Sequence, residues 1–349
     1  MSPSMARRIY RFLLFCFCAS HFLAADTLYQ GGDSLNSSST LVSKNRLFTL
    51  GFTRLGSASY LGIWYNNDTS HPFWLANRSR PIADNSGVLA IDGSGNMKLT
   101  YSGGDPVEFY SSQSSASNLT AILEDSGNFV LKDENSGSQQ VLWQSFDSPT
   151  DTFLPGMKLG INHRTGRTSS LMSWLSDVVP TPAGSFTLEW DTKGKELVMK
   201  RRDVIYWTSG PLRTNTSFEN FDLNSGNEVY FSFINVSKAD EDYFMFTVSV
   251  NQYASPDQRN FSMWQLRSEG ILVDSTTSQG FGGQLCNGNN EDGGCKRWSV
   301  DVGRSEPAGS SGKRNWIWII LASVGFVSLM GLAGLLWYLR RRRLRGNIF

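Results

Sequence analysis

Short apolar segments separated by turn residues recur through most of this chain. In each segment apolar, aromatic and β-branched residues cluster or alternate, and Gly, Asn, Asp or Ser follows, which is typical of β-strands and hairpin turns. The clearest segments are residues 47–52, 60–65, 73–76, 87–91, 97–101 and 128–131, and later 229–233, 243–250 and 261–266. Sustained helical periodicity is not found before residue 313. We therefore predict an all-β fold for this part of the chain.

A small repeat lies inside this region, at residues 84–91, 92–99 and 125–131. Each copy has an acidic residue, a Ser-Gly turn and an alternating strand. The glycines, Gly87, Gly95 and Gly127, are expected to supply the positive φ of a tight hairpin, and the alternation leaves one face buried. Repeated hairpins predict a compact β-prism or barrel rather than a sandwich with long crossovers.

Residues 316–339 form an apolar run of 24 residues without a charge. A helix of this length would reach about 36 Å, enough to cross a hydrocarbon core of roughly 30 Å. Five arginines follow within residues 340–345, against Lys313 and Arg314 on the other flank, so the positive-inside rule places the C-terminus in the cytosol. We predict a transmembrane helix over 315–339 and a basic cytosolic tail over 340–349. A buried core helix is the alternative, but consecutive arginines at its end would need partners or water.

The N-terminus agrees with that orientation. Three arginines precede an apolar stretch at residues 12–22, and small residues lead to polar Asp26. This is the pattern of a cleaved secretory signal peptide over residues 1–25. An uncleaved anchor is the weaker alternative, because the apolar stretch is too short to span a bilayer. The predicted location is the plasma membrane, as a single-pass type I protein with an extracellular N-terminus.

Charge excludes one class of partner. The chain has 32 basic and 31 acidic residues, but ten of the basic ones lie in the signal peptide, beside the span or in the tail. The remaining 22 share residues 26–312 with all 31 acids, which leaves about nine net negative charges there. A nucleic-acid partner is not expected, because phosphate binding needs a basic surface.

Two cysteines remain after the signal peptide, Cys286 and Cys295, and in a secreted compartment they would form one disulfide. A zinc site is disfavoured because two ligands without a nearby His do not make one, and we expect no metal and no cofactor. N-glycosylation sequons are predicted to mark loops or exposed edges. They begin at Asn36, Asn67, Asn77, Asn118, Asn215, Asn235 and Asn260.

Three motifs carry a resemblance to a known family: Gly-Ile-Trp-Tyr at 62–65, Trp-Leu-Ala-Asn-Arg at 74–78, and the long run Trp-Gln-Ser-Phe-Asp-Ser-Pro-Thr-Asp-Thr-Phe-Leu-Pro-Gly at 143–156. These resemble the bulb-type lectin domain of plant G-type lectin S-domain receptor-like serine/threonine kinases. Ser-Trp at 173–174, Gly-Ser-Phe at 184–186 and Tyr-Trp-Thr-Ser-Gly-Pro at 206–211 resemble the S-locus glycoprotein region of the same family.

The resemblance implies a domain order. It predicts a β-prism lectin domain over 26–155, a second β-rich, S-locus-glycoprotein-like domain over 156–285, and a short disulfide loop with a juxtamembrane linker over 286–314. It also implies an extracellular role in recognition, such as recognition of pollen. Within the run at 143–156, we expect Trp143 and Phe146 to fill a core and Asp147 and Asp151 to cap Thr150 by side-chain to backbone bonds.

The resemblance also suggests where a sugar would bind. Bulb-type lectins that bind mannose use a Gln-x-Asp-x-Asn-x-Val-x-Tyr strand. Residues 124–132 keep only Asn128 and Val130 of that motif, residues 92–100 keep only Asn96, and residues 41–49 keep only Asn45. Each hydrogen bond contributes about 0.5–1.5 kcal/mol net, so we expect mannose binding at these positions to be lost or very weak. The alternative interpretation is that these asparagines only serve as hairpin-turn residues.

No catalytic residues are predicted, because the tail has no kinase signature and no nucleophile elbow occurs. Two hypotheses remain. The first is a kinase-less receptor-like protein that binds an extracellular glycan, peptide or protein ligand, or that pairs with full-length S-domain receptor kinases. The second is a truncated product of a receptor-like serine/threonine kinase. A membrane-tethered glycan-cleaving enzyme is a weaker third.

Overall fold

The computed structural model describes residues 26–112, 118–135, 140–220, 229–250, 262–274 and 280–282. They fold as short antiparallel strands joined by turns, with a 3-10 turn, η1, at Ser145–Asp147. The chain divides into two compact units, Met1–Arg297 and Trp298–Phe349, and every described residue belongs to the first. The predicted all-β fold is confirmed for this part of the chain.

Several predicted features fall outside the described residues: the signal peptide, Asn260, the cysteine pair, the transmembrane helix and the basic tail. Within the described ranges, no helix is long and apolar enough to cross a membrane.

The first half of the described chain contains twelve strands. They are β1 (Thr27–Tyr29), β2 (Ser34–Asn36), β3 (Leu41–Val42), β4 (Phe48–Leu55), β5 (Ala58–Tyr65), β6 (Trp74–Leu75), β7 (Val88–Ile91), β8 (Met97–Thr100), β9 (Val107–Tyr110), β10 (Leu119–Leu123), β11 (Phe129–Asp133) and β12 (Val141–Gln144).

These strands pair into three four-stranded antiparallel sheets. Strands β3 to β6 form one sheet in chain order. The other two sheets each take one strand from the N-terminal segment, because β2 pairs with β7 beside β8 and β9, and β1 pairs with β10 beside β11 and β12. Three separate sheets match the predicted prism and exclude a barrel, which would be one closed sheet.

Two of the three predicted turn glycines have the expected backbone. Gly95 has φ +86° and Gly127 has φ +84°, as a tight hairpin turn requires. Gly87 does not lie in this left-handed region. A Cβ there would lie only 2.3 Å from Cε1 of Phe52, so glycine is needed at this position for packing against that ring.

The second half contains a further twelve described strands. They are β13 (Thr152–Phe153), β14 (Leu159–Asn162), β15 (Arg167–Ser169), β16 (Leu171–Met172), β17 (Phe186–Asp191), β18 (Glu196–Arg201), β19 (Val204–Thr208), β20 (Val229–Ser237), β21 (Glu241–Val250), β22 (Trp264–Leu266), β23 (Leu272–Asp274) and β24 (Gly280–Gly282).

The second half repeats the sheet plan of the first. One sheet, β16 to β19, runs in chain order, while the early strands β13, β14 and β15 join later ones in the sheets β13-β22-β23-β24 and β15-β14-β21-β20. Strand β13 falls before the predicted domain boundary at 155, yet it pairs with β22. The domain limits themselves stay predictions.

Stacked aromatic side chains fill the core of the second half. The rings of Phe246 and Trp264 lie 4.3 Å apart and nearly parallel, and Phe153 meets Phe246 edge-on at 5.1 Å. Phe231 and Phe233 pack on the same Trp264 ring. Burying such rings removes large apolar areas from water, so this cluster is a major source of stability for the half.

The run at 143–156 is only partly as expected. Phe146 is buried, but Trp143 is half-buried and packs edge-on against Trp74 and Phe129, each at 6.1 Å. Trp143 therefore covers the edge of a core instead of filling its centre.

The predicted capping of Thr150 is also corrected. Its hydroxyl donates to the carbonyl of Phe73 at 2.8 Å, and Asp151 Oδ1 lies 3.3 Å away. Asp147 instead accepts a bond from Gln144 Nε2 at 2.7 Å. Asp147 is thus bound within its own turn.

Arg78 joins the two halves. Its guanidinium donates to three carbonyls of the second half: Pro180 at 2.8 Å, Met172 at 2.7 Å, and Ser173. Burial lowers the pKa of Arg78, while the charges of Asp151 and Tyr60 act in the opposite direction. A single side chain therefore satisfies three carbonyl acceptors, of which those of Ser173 and Pro180 belong to buried residues.

His71 forms a second link between the halves. Its Nε2 lies 2.7 Å from Oδ2 of Asp151, which is 1% exposed, and Gln265 Nε2 also reaches this oxygen at 3.3 Å. The imidazole stacks on Trp174 with the ring centroids 3.8 Å apart. Residues distant in sequence thus meet around one buried carboxylate.

We predict that Arg78→Met destabilises the protein by about 2–3 kcal/mol, because carbonyls bonded to a charged donor would lose it. Thermal unfolding of the full chain in mild detergent measures the change. Arg54→Met is the matched control, since among the described residues exposed Arg54 bonds only Ser57 and Asn85, both in the first half. Equal melting temperatures for the two variants would contradict this role of Arg78.

Candidate binding site

The three segments that partly match the mannose motif, residues 124–132, 92–100 and 41–49, are called here the first, second and third motif positions. In the first, the side chain of Asn128 is hydrogen-bonded to the protein through both of its polar atoms. It is 7% exposed, and its amide Nδ2 donates to Gln144 Oε1 at 2.9 Å. Its Oδ1 accepts from Ser145 Oγ and from the backbone N–H of Phe146, both at 3.2 Å. Val130 is 1% exposed and belongs to the apolar interior. Neither retained motif residue offers a free polar atom to a sugar.

An ion pair occupies the two outer positions of the same motif segment, residues 124 and 132. Lys132 Nζ lies 2.7 Å from Glu124 Oε1, at the two ends of the motif where the mannose-binding strand has Tyr and Gln. A ligand hydroxyl would have to compete with this contact. Pairs at the surface contribute little to stability, but they do hold both side chains in place.

The second motif position is built the same way. Asn96 Nδ2 donates to both oxygens of Asp92, at 3.2 and 3.1 Å, and its Oδ1 accepts from the backbone of Ser112 at 3.0 Å. Lys98 Nζ lies 2.7 Å from Asp92 Oδ2. The hydrogen bond from Lys98, with those from Asn96, lowers the pKa of Asp92 to about 2. Asp92 in turn raises the pKa of Lys98.

Asn45, in the third position, ties two turns together. Its Oδ1 accepts from Ser43 Oγ at 2.7 Å and from the backbone of Leu47 at 3.0 Å. Its backbone N–H donates to Asp125 Oδ1 at 2.6 Å, and its Nδ2 donates to the carbonyl of Asp125 at 3.1 Å. Asp125 belongs to the turn that precedes Asn128, so the third position supports the first.

The three positions are alike in chemistry. A sugar hydroxyl gains only when it finds a donor or acceptor that is not already paired. Asn128, Asn96 and Asn45 are each paired within the protein, and two of the three positions add a Lys–carboxylate contact. The arrangement holds turns and strand ends in register.

The predicted exposure of the glycosylation sites holds at four positions. Asn36, Asn67, Asn118 and Asn215 are exposed, and Asn235 is half-buried on β20. The prediction of exposure is wrong for Asn77, which is 1% exposed. Its Oδ1 accepts from the backbone of Leu61 at 2.8 Å. Its Nδ2 donates to the carbonyl of Arg80 at 3.0 Å. A glycan on this nitrogen would displace these bonds.

Sequence reasoning missed the role of Gln144. Its side chain bonds Asn128 on one side and Asp147 on the other, and so connects the first motif position to the 3-10 turn. Gln144 lies in the distinctive run at 143–156, but its partner Asn128 lies sixteen residues away in sequence. Only the pairing of β11 with β12 brings the two side chains together.

Comparison with known proteins identifies the family. A sequence profile described as D-mannose binding lectin matches residues 72–175. A G-type lectin S-receptor-like serine/threonine-protein kinase of Arabidopsis thaliana is 40% identical over 233 residues, and a second from the same plant is 39% identical over 251 residues. The chain belongs to the G-type lectin S-receptor-like kinase family.

The matches cover a large share of this chain but a small share of each relative. They take in 64% and 70% of this S-receptor-like chain, but only 28% and 29% of the two relatives. The chain thus spans less than a third of the length of these relatives. The profile match runs past residue 155, and so extends beyond the predicted limit of the lectin domain.

Solved lectin structures show weaker likeness. Monomeric mannose-binding lectins from Gastrodia elata give a TM-score of 0.27 at 20% identity, covering 35% of this chain and 96% of that one. A two-domain fetuin-binding lectin from Scilla campanulata gives 0.24 at 12% identity, covering 71% and 95%. Scores this low add nothing to what the sheets of this S-receptor-like protein show by themselves.

We predict that Lys98→Met raises the pKa of Asp92 from about 2 toward its ordinary value of about 3.9, because the largest stabiliser of the carboxylate is removed. A depressed pKa adds stability that is present above about pH 4 and is lost as the pH falls toward 2. Lys98→Met should therefore lose part of this dependence of stability on pH. A carbon-NMR titration of the Asp92 carboxyl measures the pKa.

Lys44→Met is the control, since exposed Lys44 forms no ion pair with the described residues. An unchanged Asp92 pKa in Lys98→Met would show that the backbone bonds and the Asn96 side chain set it without Lys98.

Proposed function

We propose that this chain is an extracellular carbohydrate-recognition protein of the S-domain receptor type, and that its three motif positions do not bind mannose. Family membership supports the recognition role. The second part rests on one observation: Asn128, Asn96 and Asn45 bond the protein's own atoms, and Lys132 and Lys98 pair with acids beside two of them.

The proposed setting is the plasma membrane. The predicted signal peptide, the apolar run at 316–339 and the arginines after it support a single-pass type I protein with the lectin domain outside. Its partners are then an extracellular glycan, peptide or protein, or full-length receptor kinases of the same family. The predicted disulfide between Cys286 and Cys295 belongs to the segment before the span.

We predict that rebuilding the motif creates a mannose site that the natural chain lacks. Glu124→Gln, Ser126→Asp and Lys132→Tyr together restore Gln-x-Asp-x-Asn-x-Val-x-Tyr around Asn128 and Val130 and remove the ion pair. The full chain, purified in mild detergent, is applied to an array of mannose-rich glycans. The triple variant should bind at least about tenfold more tightly than the natural chain.

Asp92→Asn with Lys98→Met is the control, because it removes an ion pair without restoring any residue of the motif. Tight mannose binding by the natural chain, lost in Lys132→Met or in Lys98→Met, would contradict the proposal that these positions are inactive. Asn128→Ala is not a clean probe, since it leaves Gln144, Ser145 and Phe146 short of a partner and is expected to cost about 1–3 kcal/mol.

The kinase-less hypothesis has its own test. Full-length reads of transcripts from the locus should show a dominant message whose reading frame stops after Phe349. A dominant message that continues into a kinase frame would favour the alternative, in which this chain is a truncated product of a receptor-like serine/threonine kinase.

A further inference from the structure

A cleft of about 410 Å³ lies between the two halves of the described chain. One wall comes from β12 and the 3-10 turn, with Leu142, Gln144 and Asp147. The other comes from β14, β15 and β21 of the second half. Its volume falls within the range of about 300–1,000 Å³ that is usual for small-molecule sites. None of the three motif asparagines lines it.

The charges in the cleft cancel. Lys158 Nζ lies 2.7 Å from Glu241 Oε2, so these two neutralise each other. Arg167 and Asp147 add one positive and one negative group to the lining. A wall with no net charge does not favour a strongly anionic or cationic ligand. It suits a neutral one that makes directional hydrogen bonds.

Both donors and acceptors in the lining are free to make such bonds. Asp147 Oδ1 accepts from Gln144, while its Oδ2 accepts nothing from the described residues. Arg167 gives one N–H to Ser148 Oγ, and its other guanidinium N–H groups bond no described atom. Asn162 uses Oδ1 for the backbone N–H groups of Arg164 and Thr165, which leaves Nδ2 as a donor.

This mixture matches hydroxyl groups. A hydroxyl donates one hydrogen bond and accepts two, so vicinal hydroxyls can bond a carboxylate and a guanidinium at once. An anionic ligand would gain from Arg167 but be opposed by Asp147, and a cationic ligand would meet the reverse.

An aromatic ring supplies the apolar part of the site. Tyr243 lines the cleft half-buried, with Lys158 Nζ over one face of its ring at 4.1 Å from the centroid. Leu142 and Ile161 add apolar surface nearby. Tyrosine offers a rigid contact area that is apolar on its face and polar at its tip, which suits the mixed faces of a sugar ring.

The acceptor is held in position before any ligand arrives. Asn128 Nδ2 donates to Gln144 Oε1 at 2.9 Å, and Gln144 Nε2 donates to Asp147 Oδ1 at 2.7 Å. The asparagine that remains from the mannose motif therefore supports the carboxylate of the cleft. Such supporting bonds lower the cost of ordering a site when a ligand binds.

A smaller cleft of about 180 Å³ also lies between the halves, beside His71 and Gln265. Two of its polar lining groups, His71 and Gln265, are already occupied, since both bond the buried carboxylate of Asp151. It offers a ligand less than the larger cleft does.

We infer that the larger cleft binds a neutral oligosaccharide, with Asp147 Oδ2 as acceptor, Arg167 and Asn162 as donors and Tyr243 as the apolar platform. This inference rests on the proposed carbohydrate-recognition function and places it at a site distinct from the three motif positions.

The test uses the full chain in mild detergent and three neutral probes: mannotetraose, cellotetraose and xylotetraose. Tetragalacturonate is the anionic probe. Binding is measured by calorimetric titration for the natural chain and for Asp147→Asn and Arg167→Met. Asp147→Asn keeps an oxygen for Gln144, so it removes the charge with little change of shape.

Two matched controls separate the cleft from general surface effects. Arg164→Met changes an exposed arginine in the same β14–β15 hairpin that does not line the cleft, and Asp105→Asn changes an exposed carboxylate elsewhere. We expect at least one neutral probe to bind. Asp147→Asn and Arg167→Met should each weaken it about tenfold or more, with both controls unchanged. Melting temperatures confirm that the variants are folded.

The other outcomes overturn the inference in different ways. If Asp147→Asn and Arg167→Met leave oligosaccharide binding unchanged, the cleft is excluded as the binding site, while the proposed function stands. Binding of tetragalacturonate alone, through Arg167, would overturn the choice of a neutral ligand. Failure of every glycan on both the titrations and the array would overturn the proposed function as well.

Discussion

The side chain of Asn128 holds together the part of the structure on which the function depends. From the end of one hairpin turn it reaches Gln144, Ser145 and Phe146, and so fixes the strand β12 and the 3-10 turn against β11. The same turn, through Asp125, holds Asn45. Because the bonds of Asn128 are buried or half-buried, leaving any of them unpaired would be costly. The turn is therefore rigid, and so is the carboxylate of Asp147 that Gln144 positions.

The motif positions show how a binding strand becomes a structural one. Lysine beside an acid replaces neutral groups that would otherwise face a sugar, and each of the pairs Lys132–Glu124 and Lys98–Asp92 engages a carboxylate oxygen. Each pair contributes little stability at the surface. Its effect is instead to occupy the positions. The proposed recognition function then uses another surface, and the cleft between the halves offers unpaired groups.

The two halves are joined by polar contacts as well as by apolar packing. Arg78 donates to three carbonyls of the second half, and His71 and Gln265 converge on the buried carboxylate of Asp151. These groups are satisfied only when the halves are in place, because each partner comes from a distant part of the chain. Contacts of this kind fix a relative position more strictly than apolar packing alone. The cleft beside β12 keeps its shape for the same reason.

Local pattern alone was enough to predict the strands, and it failed wherever a distant residue decided the outcome. Alternating segments such as 60–65 and 243–250 became strands, and Gly95 and Gly127 took the backbone of hairpin turns, because both properties depend on neighbouring residues. Gly87 is required by the ring of Phe52, Asn77 is buried by Leu61 and Arg80, and Trp143 covers a core edge. The motif comparison selected Asn128, Asn96 and Asn45, but their partners and the cleft walls are assembled by strand pairings that only the tertiary structure makes. Sequence determined the fold class, the family and the turns, while the free polar groups that a ligand can reach were decided by which side chains the folded sheets brought into contact.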